Sequence, residues 1–244
     1  MILDIYKDSL EYSAKDLKTL LILGATYFLS FLFLPIFLIY GYSYRVTKIS
    51  VEGMINGNDP LPAFDNIIDM FVDGLKVVLV YLVYLLVPFI IFMLFAMVSS
   101  AIGGYGESAL MAIGAIITVV AIVAAYLMSM FGVANMANYD GSLRKAFDYN
   151  EIIEIIKSVG VVRSIGAYLG LAIISFAICI TVFLLVWFVF GIFGIFTGAL
   201  GFDMAAGGIF VAGFLISYFV MLFVVGPYTM ILQSRASGLL YNLH

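Results

Sequence analysis

Long apolar runs, interrupted by two polar loops, set the pattern of the chain. Five stretches of at least 26 residues contain no Asp, Glu, Lys or Arg: 19–44, 77–106, 108–139, 164–202 and 204–234. About 20 apolar residues in a helix are enough to cross a hydrocarbon core about 30 Å thick. The pattern therefore predicts an all-α integral membrane protein, a polytopic bundle of about five transmembrane helices over roughly 19–42, 75–98, 109–134, 164–190 and 209–232.

Composition supports the membrane class and narrows the chemistry that the chain can perform. Of the 244 residues, 65% are hydrophobic and 11% are charged, against about 25% charged in soluble domains. The single cysteine, Cys179, lies within an apolar run, and the single histidine is His244. One chain therefore lacks the residues for a His/Cys metal site, a Ser-His-Asp triad or a Cys-His dyad in its membrane core. We expect no metal, no cofactor and no enzymatic activity.

The charge of the chain bears on its partners. A net charge of −4 argues against nucleic acid, because phosphate binding needs a basic patch. We expect the lipid bilayer as the main partner, with a protein partner at the cytoplasmic face or a second copy of the chain as further candidates.

The distribution of lysine and arginine predicts the orientation of the chain. These residues occur in the polar loops 45–76 and 135–163 and in the C-terminal tail, whereas the glycine-rich connectors 99–108 and 191–208 contain none. Basic loops stay on the cytoplasmic side. Both polar loops and the C-terminus are therefore predicted to be cytoplasmic, with the chain in the plasma membrane.

The side of the N-terminus stays open at this point. Five spans place it outside, which conflicts with its three lysines, Lys7, Lys15 and Lys18. In the alternative, residues 19–44 form a broken or re-entrant segment around Leu34-Pro35, and both of its flanks remain inside. A proline at this position removes a backbone donor and can kink or break the helix.

Residues 1–18 have the pattern of a short amphipathic helix at the membrane interface. Its apolar side contains Ile2, Ile5, Tyr6, Leu10 and Leu17, and its polar side contains Asp4, Lys7, Asp8, Glu11 and Lys15.

The stretch NDPLPAFDNIIDMFVDGLK (58–76) predicts an acidic amphipathic helix over 64–75, before the second span. The predicted apolar face consists of Phe64, Ile67, Ile68, Phe71, Val72 and Leu75. On the other side lie three aspartates at helical spacing: Asp65, Asp69 and Asp73. Helices that bind anionic lipid are usually basic, so the acidic face is either solvated or a docking face for a protein. The spacing has no Ca²⁺-loop geometry.

A second segment, AFDYNEIIEIIKSVG (146–160), resembles the first and indicates a parallel internal repeat. Its apolar positions, Ile152, Ile153, Ile156 and Val159, oppose Asn150, Glu151, Glu154 and Lys157. The triplet Ala-Phe-Asp occurs at 63–65 and again at 146–148. Within a single transmembrane domain, 1–244, this predicts unit one over about 17–98, unit two over about 109–190 and a partial third unit over 209–244.

Small residues four positions apart predict close helix packing, either within the bundle or between copies. They are Ala121 and Ala125, Gly166 and Gly170, Gly194 and Gly198, and Gly213 and Ser217.

Three stretches carry a resemblance to a known family: DIYKDSLEYSAKDLKTLLILG, PIFLIYGYSYRVTK and DPLPAFDNIIDMFVDGLK. They resemble an archaeal family of multi-pass membrane proteins known only as domain of unknown function 4013 (DUF4013). The resemblance implies a helical membrane fold and an archaeal source. It implies no activity and no site residues.

We consider three functional hypotheses for a chain whose membrane core carries no charged residues. We favour a non-catalytic scaffold, accessory or assembly subunit, because the acidic cytoplasmic stretch could dock a partner. The alternative is a passive channel or carrier for a neutral or lipidic solute, because ion-coupled carriers keep ionisable groups near the bilayer midplane. An intramembrane enzyme is the weakest hypothesis. A continuous polar cavity in the structure would favour transport, and a solid core would favour scaffolding.

Overall fold

The computed structural model describes all residues, 1–244, and contains helices and no strands. Ten α-helices follow each other along the chain: α1 (Ile2–Ser13), α2 (Leu17–Phe28), α3 (Leu34–Glu52), α4 (Ile67–Ile102), α5 (Gly104–Asn138), α6 (Leu143–Ala146), α7 (Tyr149–Val159), α8 (Val161–Ala199), α9 (Asp203–Val220) and α10 (Gly226–Tyr241). A 3₁₀ turn, Leu29–Leu32, extends α2, and a π turn, Met221–Val225, joins α9 to α10.

Four helices are long and apolar enough to cross a membrane: α4, α5, α8 and the continuous helix Asp203–Tyr241. They form two antiparallel hairpins. Gly103 and Gly104, with φ of 67° and 61°, connect α4 to α5, and Gly201, with φ of 84°, connects α8 to α9. Glycine adopts these left-handed conformations without the steric cost that a side chain brings. The four predicted spans from residue 75 onward each lie on one of these four long helices.

The predicted single span over 19–42 is wrong, because the chain reverses at Phe33. This residue has a φ of 64°, and α3 begins directly after it with Pro35 in its first turn, a position where the missing proline donor costs nothing. Buried residues at the start of α2, Leu20 and Leu23, pack with Tyr42 and Val46 in the second half of α3. The two helices are therefore antiparallel, and the flanks of residues 17–52 lie at the same end of the molecule. We call this segment the folded-back pair.

The folded-back pair ends about halfway along the bundle. At its tip, the ring of Phe28 packs on Phe219 and Phe223 at centroid distances of 6.1 and 5.9 Å. These two residues lie near the middle of the helix 203–241. The tip itself is apolar and exposed, with Phe31, Leu32, Phe33 and Leu34 on its surface.

Nearly all charged residues lie at one end of the molecule, which we call the charged end. This end contains α1, the start of α4, the loop 53–66, and the short helices α6 and α7. All eleven lysines and arginines occur in these segments, in the connection 14–16 between α1 and α2, or in the adjoining parts of α2, α3, α8 and α10. At the opposite end, the two hairpin connections carry only Glu107 and Asp203.

The acidic stretch is not a separate helix over 64–75. Residues 60–66 are irregular, and α4 begins at Ile67 and continues without a break into the membrane. The side of α4 that packs on the bundle contains Met70, Gly74 and Val77. The predicted apolar face is instead largely exposed at Ile67, Ile68, Val72 and Leu75.

A glycine contact explains this orientation of α4. A Cβ atom on Gly41 of α3 would overlap the carbonyl oxygen of Met70, and one on Gly74 would overlap that of Phe37. The backbones of α3 and α4 can therefore touch only along the Gly74 side of α4. This contact overrides the hydrophobic pattern of the first two turns.

The two related blocks of the sequence have different local structures. Ala63, Phe64 and Asp65 lie in the irregular segment before α4. In the second block, Asp148 is the N-cap of α7, which ends at Gly160 with a φ of 100°. Ile152, Ile155, Ile156 and Val159 of α7 are buried, whereas Ile153, which the pattern placed on the apolar side, is exposed. The internal repeat remains a prediction.

Candidate functional site

A cavity of about 510 Å³ lies between the folded-back pair, α4, α5 and α10. Nineteen residues line it, and none carries a charge. They include four tyrosines, seven serines or threonines and one glutamine, and the others are apolar or glycine: Tyr27, Tyr40, Tyr81, Tyr126, Ser30, Ser43, Thr47, Ser129, Thr229, Ser234, Ser237, Gln233, Ile36, Ile39, Leu85, Met130, Val133, Met230 and Gly226.

Most of the serine and threonine hydroxyls are already bonded within the protein. Ser129, Thr229 and Ser237 donate to backbone carbonyls three or four residues earlier, at 2.8, 2.8 and 2.6 Å. Ser43 and Ser234 share a hydrogen bond of 2.7 Å between α3 and α10. These groups shape the cavity wall, and their remaining lone pairs can accept further hydrogen bonds.

The four tyrosines of the cavity differ from most other tyrosines in the chain. Seven of the other twelve tyrosines have a hydrogen-bonded hydroxyl, namely Tyr6, Tyr12, Tyr42, Tyr84, Tyr139, Tyr228 and Tyr241. No hydrogen bond to another protein group forms at the cavity hydroxyls, and none forms at five tyrosines outside the cavity, Tyr44, Tyr105, Tyr149, Tyr168 and Tyr218. The cavity therefore presents four unpaired phenol groups.

Ring contacts hold three of these tyrosines in place and connect them to α8. The centroid of Tyr81 lies 5.8 Å from Tyr40 and 6.3 Å from Tyr126, and Tyr126 lies 4.6 Å from Tyr168. Helices α3, α4, α5 and α8 each contribute one ring. Gln233 adds a second link, since its Nε2 donates to Ser175 of α8 at 3.2 Å.

A buried ion cluster closes the charged end beside the cavity. Arg235 is fully buried, and its Nε donates to Asp8 at 2.8 Å while its Nη1 lies 2.8 Å from Asp59. The guanidinium also lies 4.6 Å from the ring centroid of Tyr12. Asp8, predicted on the polar side of the first helix, is 5% exposed. Its partner Arg235 is 227 residues away in the sequence, so the helical pattern alone does not predict that Asp8 is buried.

A second charged cluster fixes α6 and α7. The ammonium of Lys145 lies 3.1 Å from Asp148 and 2.7 Å from Glu151, and Tyr139 donates to Glu151 at 2.7 Å. The hydrogen bond from Lys145 lowers the pKa of Asp148 below its ordinary value of 3.8. Burial raises the pKa of Glu151, but hydrogen bonds from Lys145 and Tyr139 outweigh it and lower that pKa below 4.5. Hydrogen bonds to Glu151 and Asp148 raise the pKa of Lys145 to about 12.

The three aspartates of the predicted docking face do not form one free surface. Asp65 pairs with Arg45 at 3.0 Å, and Asp73 pairs with Lys76 at 3.3 Å. Asp69 is exposed on the first turn of α4. A docking role for these residues remains a prediction.

The predicted small-residue positions fall into different environments. Gly194 packs against the ring of Phe210, and Gly213 packs against Phe190, so both bring α8 close to α9. A Cβ on Gly198 would lie 3.6 Å from the Cβ of Ala206, and Ser217 is buried and donates to the carbonyl of Gly213. Gly170 contacts the hydroxyl of Tyr6, whereas a Cβ on Gly166 would meet open space. Of the remaining pair, Ala125 is buried and Ala121 is half-buried.

The sequence contains a signal for the cavity that a search for catalytic residues misses. On α10, the polar lining residues Thr229, Gln233 and Ser237 are spaced by four, and on α3 the polar lining residues Ser43 and Thr47 are also spaced by four. Polar residues at this spacing within an apolar helix form a stripe on one face. The stripes predict which face lines a polar space, but not which helices share it.

Comparison with known proteins identifies a family for most of the chain. The family described as protein of unknown function (DUF4013) matches residues 28–191, which is more than half of the chain and includes the tip of the folded-back pair, α3 to α7 and most of α8. No curated protein and no solved structure matches.

Proposed function

Because the chain belongs to the DUF4013 family, whose description gives no activity, we propose a function from the cavity. The protein binds an uncharged, hydrogen-bonding molecule within the membrane and acts as a passive carrier for it. This is the function that the polar cavity favours over a purely structural role.

One observation carries the proposal, namely the four unpaired tyrosine hydroxyls in a cavity without charges. In a bilayer, no surrounding water satisfies such groups, so they need a partner inside the protein. The volume of about 510 Å³ lies within the usual range for small-molecule sites, about 300–1,000 Å³.

The same lining supports a non-enzymatic protein. Intramembrane proton relays and pumps for charged substrates keep ionisable residues in their pathways. The cavity offers hydroxyls and one amide, with no carboxylate, lysine, arginine, histidine or cysteine. Hydrogen bonding to a neutral molecule is the chemistry that these groups perform well.

The proposal places the charged end in the cytoplasm and the two hairpin connections outside a cell membrane. The concentration of all eleven lysines and arginines near one end supports this orientation. With four crossings and a folded-back pair, both ends of the described chain lie on the cytoplasmic side.

A molecule that co-purifies with the protein tests the proposal. We expect protein released from its membrane in mild detergent to show a bound, uncharged adduct by native mass spectrometry. The variant Tyr81→Phe/Tyr126→Phe removes two hydroxyls and keeps both rings, so it should lose most of the adduct. Tyr218→Phe, on the exposed side of α9, is the matched control and should retain it. Equal adducts on all three proteins would contradict the proposal.

Scaffolding is a second candidate function, and the exposed start of α4 favours it. Ile68 is 80% exposed beside Asp69, outside the apolar run that begins at residue 77. An exposed apolar side chain next to an acid fits a contact with a basic surface of an accessory protein. We expect Ile68→Ser/Asp69→Asn to lose a partner that wild type retains in a pull-down, with Glu52→Gln as control. If the pull-down recovers the wild-type protein without any partner, the result would argue against scaffolding.

A further inference from the structure

We propose that the cavity binds a neutral lipid alcohol of the diacylglycerol type. Its hydroxyl headgroup lies toward the charged end, and its hydrocarbon chains point toward the middle of the bilayer. The inference rests on the proposed function and deepens it by giving the class of ligand.

The polarity of the cavity changes along its length. Helix α3 runs from the tip of the folded-back pair to the charged end, and its lining residues change from Ile36 and Ile39 to Ser43 and Thr47. Ser234 of α10 lies at the same level, because its hydroxyl bonds to Ser43 and its carbonyl accepts from Thr47 at 3.4 Å. On α3 and α10, the polar lining residues toward the charged end are Ser43, Thr47, Gln233, Ser234 and Ser237, whereas the folded-back pair contributes two hydroxyls and two apolar side chains toward the tip, from Tyr27, Ser30, Ile36 and Ile39. A lipid with a small hydroxylated headgroup fits this lining, with its headgroup toward the charged end.

The end of the cavity near the tip meets the bilayer. Tyr27, Ser30 and Ile36 line it from the tip region of the folded-back pair. The pair stops opposite Phe219 and Phe223, near the middle of the helix 203–241. Beyond that level, the pair contributes no wall between the two hairpins. A hydrocarbon chain can leave the cavity there and continue among the lipid chains.

The charged end of the cavity is closed. A Cβ on Gly238 would overlap Ser50 and lie 2.8 Å from the carbonyl oxygen of Thr47, so α10 and α3 are in backbone contact there. Next to this contact, Arg235 is fully buried against Asp8 and Asp59. A water-soluble molecule therefore has no direct path between α3 and α10 from the aqueous phase. A molecule dissolved in the bilayer reaches the cavity from the end near the tip.

The uncharged lining selects the headgroup. A phosphate brought into the cavity would lose its hydration and find no lysine or arginine among the lining residues. A diacylglycerol hydroxyl and its ester carbonyls need only neutral donors and acceptors, which Tyr27, Tyr40, Tyr81 and Tyr126 supply. The cavity thus discriminates against phospholipids that share the same chains.

The test compares three probes that separate the effect of the hydrocarbon chains from the effect of the headgroup charge. They are 1,2-dioctanoylglycerol, dioctanoyl phosphatidic acid, which has the same chains and a charged headgroup, and glycerol, which has no chains. We expect measurable binding of dioctanoylglycerol to the purified protein in detergent, at least about tenfold weaker binding of the phosphatidic acid, and no binding of glycerol. Tyr81→Phe/Tyr126→Phe should weaken dioctanoylglycerol binding at least about fivefold, and Tyr218→Phe should leave it unchanged.

Other outcomes overturn the inference in distinguishable ways. Equal binding of the phosphatidic acid would refute selection for a neutral headgroup. Binding of glycerol and not of dioctanoylglycerol, with loss in the double variant, would refute the lipid assignment while the proposed function survives. If no probe binds and no adduct co-purifies, both the inference and the proposed function fail.

Discussion

Arg235 is buried at the charged end and connects three of its segments. It joins α10 to α1 through Asp8 and to the loop 53–66 through Asp59, and it has no exposed surface. Removing one partner of such a buried group leaves the other charge without compensation, which costs about 3–5 kcal/mol. Exposed pairs contribute about 0–1 kcal/mol.

The first prediction concerns Asp8. We expect Asp8→Asn to destabilise the protein by about 3 kcal/mol or more, because Arg235 would lose a buried carboxylate. Glu11→Gln is the control on the same helix, since Glu11 is exposed and lies 4.0 Å from Lys7. Thermal unfolding in one detergent measures both variants. Equal unfolding temperatures for Asp8→Asn and Glu11→Gln would refute the role assigned to the cluster.

The sequence did not predict this cluster for a physical reason. A helical wheel assigns Asp8 to the polar side of the first helix. The sequence pattern around Arg235 indicates only that the C-terminal tail is cytoplasmic. Both assignments depend only on near neighbours in the chain. The cost of burying Asp8 is offset by a partner from another helix, and local patterns contain no information about that partner.

At the scale of elements, the crossing of α3 and α4 depends on two glycines. We expect Gly41→Ala or Gly74→Ala to destabilise the protein by about 3 kcal/mol or more, because each methyl group would overlap a backbone carbonyl that cannot rotate away. Gly166→Ala is the matched control in α8, where a Cβ meets open space. It should be neutral or gain up to about 1 kcal/mol from helix propensity.

Thermal unfolding of the three alanine variants checks this packing. A Gly74→Ala variant as stable as Gly166→Ala would show that α3 and α4 do not touch at this point. In that case the exposed face of Ile67, Ile68 and Val72 would need another explanation.

The docking of α7 should depend on pH at both extremes. The pKa values of Asp148 and Glu151 are lowered, so their contribution to the docking of α7 is complete above about pH 4.5 and is lost as the pH falls below that value. The pKa of Lys145 is raised from 10.5 to about 12, so its contribution is complete below 10.5 and is lost as the pH rises toward 12. Between these limits, docking should be constant.

Hydrogen exchange of the α7 amides measures this dependence. We expect protection to fall below pH 4.5, and Glu151→Gln to weaken the acid transition by removing one of the two carboxylates. Glu154→Gln, on the exposed side of the same helix, should leave the transition unchanged. A wild-type profile that stays flat down to about pH 3 would contradict the role of Lys145.

Helix content and position were predictable where the apolar runs were long. The predicted spans 75–98, 109–134 and 164–190 each fall inside one observed helix. The first apolar run, 19–44, predicted a single span because the turn at Phe33 is itself apolar. Hydropathy therefore does not change where the chain reverses. Pro35 marked the position, but a proline fits both a kinked span and the start of a new helix.

At the scale of the whole molecule, the topology makes a direct prediction. In a Cys179→Ser background, we expect Tyr105→Cys to react with a membrane-impermeant thiol reagent from outside the cell, since Tyr105 is 99% exposed at the α4–α5 connection. Leu3→Cys and Met54→Cys should react only after permeabilisation, because α1 and the loop 53–66 lie at the charged end. Leu34→Cys, at the apolar tip, should be protected on both sides.

Reaction of Leu3→Cys from outside in intact cells would refute this topology. It would restore five crossings and place the N-terminus opposite the C-terminus. The lysines at 7, 15 and 18 would then lie on the side that the distribution of basic residues disfavours.

The cavity could be predicted only in part, because it belongs to no single element. The polar stripes on α3 and α10 are visible in the sequence, but the space between them exists because the folded-back pair and two hairpins meet at one level. The tyrosines carry the clearest functional signal, and their unpaired state follows only from the three-dimensional arrangement. The absence of charges from the apolar runs already pointed to a neutral ligand.

An experimental density map of the protein in a lipid nanodisc tests the central claim most directly. The account predicts elongated non-protein density in the cavity, with its broad end near Ser43 and Ser234 and contacts to Tyr81 and Tyr126. A collapsed cavity, with the tyrosine hydroxyls bonded to protein groups and no density between α3, α5 and α10, would contradict it.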